Sequence, residues 1–128
     1  MNIEINKEIA TKIFGCVLIQ DLISCYIITK NKQKIPLPNY EELDNSYLVL
    51  HHFKSLKYNI QIGFNVDHFG NTNWYTIMTK NNKTFNSGSY CSTVGESICK
   101  TALNVINKNK IQSENKIDNL ISFVPREK

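Results

Sequence analysis

The sequence lacks most of the features that identify an enzyme or a DNA-binding protein. It has a single arginine, Arg126, and its lysines are scattered, so the clustered arginines that usually read duplex DNA are missing. It contains no GxSxG, GxxxxGKS, GxGxxG or HExxH pattern, which are the usual signals of hydrolases, phosphate-binding loops and zinc peptidases. We therefore predict no sequence-specific DNA binding, no cofactor and no enzymatic activity.

Long hydrophobic runs are missing as well. The longest lies at residues 16–20 and is far shorter than the ~20 residues that a membrane span requires. Glu4 and Glu8 lie near the amino terminus, and no small-residue cleavage site follows an apolar segment, so we expect no secretory signal and a cytoplasmic protein. The four cysteines show no CxxC spacing, and in that compartment we predict reduced thiols.

The remaining composition is that of an ordinary globular domain. Apolar residues make up 41% and charged residues 20% of the 128 residues, and the length suits one domain with its own core. The net charge of +4 weakly favours anionic partners. We predict a single domain at residues 1–108, followed by a polar extension at 109–128 that forms a short helix or an oligomerisation arm.

The hydrophobic pattern predicts an α+β fold. Ser92 or Thr93 caps the last helix, because Glu96 stands at capping-box distance from Thr93, and Asn39 is the predicted N-cap of the long middle helix. Helices are predicted at 3–14, after residue 39 and at 93–106, and strands at 22–29, 58–66, 74–80 and 84–91, with a loop at 30–34 and a tight turn at 81–83. The order α-β-α-β-β-β-α gives a small antiparallel sheet of three to four strands sandwiched by helices in α/β/α layers.

The residues that most suggest catalysis have simpler explanations. His51 and His52 are adjacent on the predicted helix and point about 100 degrees apart, so they do not face one metal ion together. His68 lies in a predicted turn. Cys99 falls on the apolar stripe of the last helix, where a cysteine usually packs as a small apolar residue. A hydrolase using His51, His68 or Cys99 is the weakest of the functions we consider.

Aromatic residues offer a different kind of site. Trp74 and Tyr75 begin a predicted strand, so one faces the core and the other the opposite side of the sheet. Packing explains both, but an exposed ring also stacks on a nucleobase if a lysine lies near the phosphate. The candidate ligand-binding residues on that hypothesis are Tyr40, Tyr47, Trp74, Tyr75, Lys80, Tyr90 and Lys100.

Three segments of the chain resemble a family of small bacteriophage and prophage proteins, the phage ABA sandwich domain. "IATKIFGC" (9–16) is similar to the family's opening helix, which ends at a glycine. "PNYEELDNSYLVLHHFKSLKYNIQIGF" (38–64) is similar to its proline, acidic helix start and following strand. "NWYTIMTK" (73–80) with "STVGESICKTAL" (92–103) resembles its aromatic strand and its Thr-x-x-Glu-x-Ile-Cys-basic helix. The likeness covers residues 5–106, and the last segment is the most specific.

The chain departs from this pattern at three positions. Gly95 and Lys100 stand where family members often have proline and arginine, and Tyr47 replaces a usual tryptophan. Lysine does not form the bidentate contact of arginine, so an arginine-specific role does not carry over. The resemblance implies an α/β/α layered fold and a phage accessory role, and it supplies no catalytic residues.

Two functions follow as expectations. The first is a homo-oligomeric binder that counters host defence by sequestering a nucleotide-derived immune signal in the host cytoplasm, without catalysis. The second is an inhibitor or adaptor that binds a host defence protein through an exposed helix face or the apolar residues of the extension.

Overall fold

The computed structural model describes residues 2–108, which form three helices and two three-stranded antiparallel sheets. The predicted extension at 109–128 lies outside the described residues. The elements are α1 (Ile3–Glu8) with a π-helical continuation (Ile9–Ile13), β1 (Val17–Gln20), β2 (Cys25–Ile28), β3 (Lys34–Pro36), α2 (Leu43–Ser55), β4 (Asn59–Val66), β5 (Thr72–Lys80), β6 (Lys83–Asn86) and α3 (Val94–Ile106). The α+β class and the approximate order of elements are confirmed.

The second sheet, β4-β5-β6, lies where the sequence predicted three consecutive strands. Asn81 and Asn82 form the predicted tight turn between β5 and β6 with φ values of +54° and +65°. A two-residue hairpin turn of type I′ needs positive φ at both positions, and asparagine tolerates that conformation better than most residues. The predicted third strand is shorter than expected, because β6 ends at Asn86 and pairing resumes only at Cys91, which bridges to Trp74.

The first sheet, β1-β2-β3, corrects the prediction of one strand at 22–29, whereas the loop predicted at 30–34 is present except for Lys34, which begins β3. Leu22 and Ile23 lie in the turn between β1 and β2 and are almost fully exposed, rather than in a strand. Leu18, Ile27 and Ile35 form a row across the three strands that packs on the core. Strands of three or four residues contain too few alternations to separate them from turns by pattern alone.

Helix α2 begins later than predicted. Its N-cap is Glu42 rather than Asn39. The Asn39 side chain accepts a hydrogen bond from the Glu41 N–H at 3.1 Å, and the Glu42 N–H donates to the Asn39 carbonyl oxygen. Asparagine side chains favour such local turns as readily as helix caps, and here the turn precedes the helix.

Helix α3 lies between the second sheet and the other helices. It packs on β5 and β6 on one side, and α2 packs on it from the other. Its predicted start is confirmed, since Thr93 is the N-cap and accepts from the Glu96 N–H at 3.1 Å. The core around α3 includes Ile9, Ala10, Val49, Phe53, Met78, Ile98 and Ala102, all fully buried. Within residues 2–108, no helix has the length and apolar character needed to cross a membrane.

Candidate functional site

The predicted ligand-binding residues lie on separate parts of the molecule. Tyr40 is a core residue, 4% exposed, and its ring stacks on Phe14 with the centroids 5.4 Å apart. Lys100 forms an ion pair with Glu96, one helical turn earlier, at 2.8 Å. That hydrogen bond is the main reason why the pKa of Lys100 is raised and the pKa of Glu96 is lowered.

The aromatic residues of β5 occupy opposite faces of the second sheet. Thr76 bonds to α3, so by strand alternation Trp74 faces the helical side and Tyr75 the far side. Trp74 contacts Phe64 of β4, with ring centroids 5.2 Å apart, and Tyr75 meets Tyr90 edge-on at 6.3 Å. Tyr47 is half exposed on α2. These residues do not converge on one cavity, and their role in ligand binding stays a prediction.

Lys80 is the predicted residue that lies in a basic cavity. This lysine pocket has a volume of about 260 Å³ at the end of the second sheet where β5 turns into β6. Its lining consists of Tyr58, Lys80, Asn81, Lys83, Phe85, Val105 and Lys108. The β5–β6 hairpin supplies two of the three lysines, and the end of α3 supplies the third.

The lysines are brought together at an electrostatic cost. Lys80 and Lys83 are direct cross-strand partners, and like charges in that position destabilise a hairpin. The Lys80 ammonium also lies 5.2 Å from the centroid of the Tyr58 ring, in cation–π range. The ion pairs among residues 2–108 involve Lys7, Lys12 and Lys100, so none of the three pocket lysines is neutralised by a carboxylate of that part of the chain.

The floor of the lysine pocket is apolar. Phe85 and Val105 are 5% and 7% exposed, while Lys83 and Lys108 are exposed at the rim. Apolar walls lower the local dielectric and strengthen the field of the surrounding cations. A cavity of this kind suits a ligand that has both an anionic group and a planar or apolar group.

The lining has few chemically reactive groups. Its side chains are lysine, asparagine, tyrosine, phenylalanine and valine, without a histidine, cysteine or carboxylate among the described residues that form it. The nucleophiles and bases that it offers are therefore lysine amines and one tyrosine hydroxyl. The same part of the chain contains no cluster of three or more histidine, cysteine or acidic residues able to hold a metal ion.

Cys99 is a packing residue, as predicted. It is fully buried, and its thiol donates a hydrogen bond to the Tyr40 carbonyl oxygen at 3.2 Å. Burial raises its pKa to about 12, with smaller contributions from Glu41 and Cys91, so the thiol is protonated at neutral pH. All four cysteines are free thiols.

Sequence reasoning missed Tyr58, Lys83 and Lys108 as members of the pocket. Lys83 could have been predicted from the sequence, because a two-residue turn at Asn81 and Asn82 makes Lys80 and Lys83 cross-strand neighbours. Lys108 could not have been predicted, since its position depends on how α3 crosses the sheet.

Comparison of the chain with protein-family models, with curated proteins and with solved structures found no match in any of the three. The resemblance to the phage ABA sandwich domain therefore stays a prediction.

Proposed function

We propose that this protein binds a small nucleotide-derived anion in the lysine pocket and holds it without changing it chemically. The observation that carries the proposal is the convergence of Lys80, Lys83 and Lys108 around an apolar floor, with no carboxylate of the described chain to neutralise them. A phosphate or pyrophosphate would relieve the repulsion between the paired lysines, and this relief favours the bound state.

The biological setting of the proposal comes from the resemblance to the phage ABA sandwich domain. A phage accessory protein that sequesters a nucleotide immune signal needs a binding site and no catalytic group, which agrees with the chemistry of the pocket lining. On this proposal the protein acts in the host cytoplasm as a homo-oligomer, and it protects the phage by lowering the free concentration of the signal.

Isothermal titration tests the proposal directly. We expect one or more members of a panel of cyclic dinucleotides, ADP-ribose and inorganic phosphate to bind, with affinity falling as salt rises because the contact is electrostatic. Chromatography of the released ligand should recover it intact. A well-folded protein that binds none of the panel would remove the nucleotide proposal.

A pair of matched variants locates the site. Lys83→Gln removes one pocket cation from an exposed position and should weaken binding about tenfold, the effect of losing roughly 1.4 kcal/mol. Lys30→Gln removes the same charge from an exposed position in the turn between β2 and β3 and should leave affinity unchanged. Equal losses in the two variants would mean that general surface charge, not the pocket, attracts the ligand.

A second candidate function has its own support. Three large apolar side chains stand almost fully exposed at hairpin tips: Leu22 and Ile23 between β1 and β2, and Phe69 between β4 and β5. Such residues are typical anchors for a protein partner. Pull-down from host lysate separates the two functions, because a stoichiometric protein supports the second and a co-purifying ultraviolet-absorbing small molecule supports the first.

A further inference from the structure

Strand β4 forms an unprotected edge of the second sheet. It is eight residues long, its partner is β5 on one side, and no described strand pairs with it on the other. Between Asn59 and Val66 it contains no charged residue and no proline, which are the usual devices that keep an edge strand from pairing. Ile62, Phe64 and Val66 are 40–57% exposed along it.

The other sheet edges in residues 2–108 differ from β4. Strands β1, β3 and β6 have four, three and four residues. Pro36 lies in β3, and Lys83 lies in β6. Short edges that carry proline or lysine are protected against pairing with another chain, whereas a long uncharged edge is open to it.

The hydrogen-bonding direction of the β4 backbone follows from its neighbour. Trp74 exchanges both backbone hydrogen bonds with Cys91, so the N–H and C=O of Trp74 point away from β4. Successive residues alternate in this direction, and therefore Tyr75 points toward β4 and bonds with its partner Gly63. The outward N–H and C=O groups of β4 consequently belong to the even-numbered residues, from Ile60 to Val66.

Those outward groups match a second copy of the same strand. Antiparallel pairing about a two-fold axis at Gly63 places Ile62 opposite the partner's Phe64 and Ile60 opposite the partner's Val66. Each of these is a hydrogen-bonding pair, so the ladder gains about eight backbone hydrogen bonds. Shifting the axis by one residue in either direction loses about two of them.

The side chains agree with this register. One face of the shared ladder carries only Ile, Phe and Val pairs, and Gln61 meets the partner's Asn65 on the other face, an amide pair able to hydrogen-bond. At the axis, two glycines face each other. The Tyr75 side chain lies over Gly63, where a Cβ would overlap the end of the tyrosine ring, so any other residue at this position would displace Tyr75.

The region beside β4 extends the apolar surface. A groove of about 410 Å³ runs between α2 and β4 and includes Tyr47 and Ile62 in its lining. Tyr47 and Leu43, one turn apart on the same face of α2, are 53% and 55% exposed. A biological interface is expected to bury at least about 500 Å² on each partner, and one of standard size buries about 800 Å². The half-exposed side chains of Leu43, Tyr47, Ile62, Phe64 and Val66, at roughly 100 Å² each, reach the lower of these areas, and the strand backbone adds to it.

We propose that two copies of this chain dimerise through β4, with the two-fold axis at Gly63, to form one continuous six-stranded sheet. A copy of this chain fits the edge better than a charged peptide because the strip from Asn59 to Val66 is uncharged and pairs with itself in a register that matches apolar to apolar. The proposal does not depend on nucleotide binding, since association and cross-linking are measured without ligand.

Sedimentation equilibrium of the full chain gives the first test, and we expect a dimer. Ile62→Lys places a charge in the centre of the ladder and should weaken dimerisation at least a hundredfold. Leu22→Lys is the matched control: it replaces an even more exposed aliphatic residue in the turn of the first sheet and should leave the dimer intact. A monomer at high micromolar concentration, or equal effects of the two variants, overturns the proposal.

Cross-linking tests the register. Gln61→Cys and Asn65→Cys are prepared as separate variants, mixed and oxidised. We expect a disulfide-linked dimer in the mixture and much less in either variant alone, because residue 61 opposes residue 65 of the partner. Efficient cross-linking of each variant to itself contradicts this register. Slow hydrogen exchange of the Ile62 and Phe64 amides in monomeric protein contradicts the dimer, because it would mean that another part of the same chain covers the edge.

Discussion

The two sheets of this protein have three strands each and different roles. In the first sheet, strands of three or four residues turn a row of aliphatic side chains toward the core, and Ile27 is 1% exposed. In the second sheet, β4 and β5 have eight and nine residues, and the middle strand, β5, is covered by α3. Its edge strand leaves Ile62, Phe64 and Val66 exposed.

We interpret this difference as a division between side chains that stabilise the fold and surfaces that can bind a ligand or a partner. In the first sheet, the row of Leu18, Ile27 and Ile35 packs on the core, so these side chains contribute to the stability of the fold. The second sheet packs on α3 at its centre and has two surfaces that packing does not cover: the lysine pocket at one end and the unpaired edge of β4. We therefore expect changes in this aliphatic row to alter stability and changes at the margins of the second sheet to alter binding.

The largest expected effect is a contrast between two isoleucines. Ile27→Ala opens a cavity in the core and should lower the free energy of unfolding by about 2–5 kcal/mol. Ile62→Ala truncates a side chain that is 40% exposed and should cost the monomer below about 1 kcal/mol. Urea unfolding of dilute protein measures both, and similar losses would contradict the division between the sheets.

The attachment of the second sheet to α3 is expected to depend on buried hydroxyl groups. The Thr76 and Ser97 hydroxyl oxygens are 2.7 Å apart, and both residues are fully buried. Ser97→Ala deprives the Thr76 hydroxyl of this partner and should destabilise the protein by about 1–3 kcal/mol. Adding Thr76→Val removes the buried polar group and should restore part of the loss.

The double-mutant cycle of these two changes measures the coupling. Additive effects, with no recovery in the double variant, would show that the hydroxyl pair does not hold the sheet to the helix.

The smallest expected effect is a weakening of the α3 start in acid. A hydrogen bond from Lys100 is the main cause of the lowered pKa of Glu96, with further contributions from Ser92. Because the folded pKa lies below the unfolded value, Glu96 stabilises the fold above its ordinary pKa of 4.5, and this stabilisation disappears as the pH falls through the lowered pKa. For a partly exposed pair that water still screens, the loss should stay below about 1 kcal/mol.

Hydrogen exchange compared between neutral and acidic pH locates this effect. On going from neutral to acidic pH, we expect local opening to become faster at the start of α3 than in the first sheet. Glu96→Gln should remove this difference. Asp21→Asn, in the turn of the first sheet, is the control that should retain it. An unchanged pH response in Glu96→Gln would show that another group causes the weakening.

The second sheet was predictable because its strands are long enough for alternation to appear. Ile60, Ile62, Phe64 and Val66 repeat every second residue, and Thr93 with Glu96 marks the start of α3. That alternation did not reveal that these side chains remain half exposed, because exposure depends on which element covers the strand. The lysine pocket was predictable only through Lys80 and its cross-strand neighbour Lys83, since Tyr58 and Lys108 reach it by tertiary packing.

We propose above all that the lysine pocket holds a nucleotide-derived anion without changing it chemically. Nuclear magnetic resonance tests this most directly: isotope-labelled protein is titrated with a cyclic dinucleotide and with ADP-ribose, and the amide chemical shifts are measured at each step. We predict saturable shifts concentrated at Tyr58, at residues 80–83 and at Lys108, with the ligand recovered intact. Saturable shifts centred elsewhere on the molecule, or conversion of the ligand during the titration, would contradict the claim.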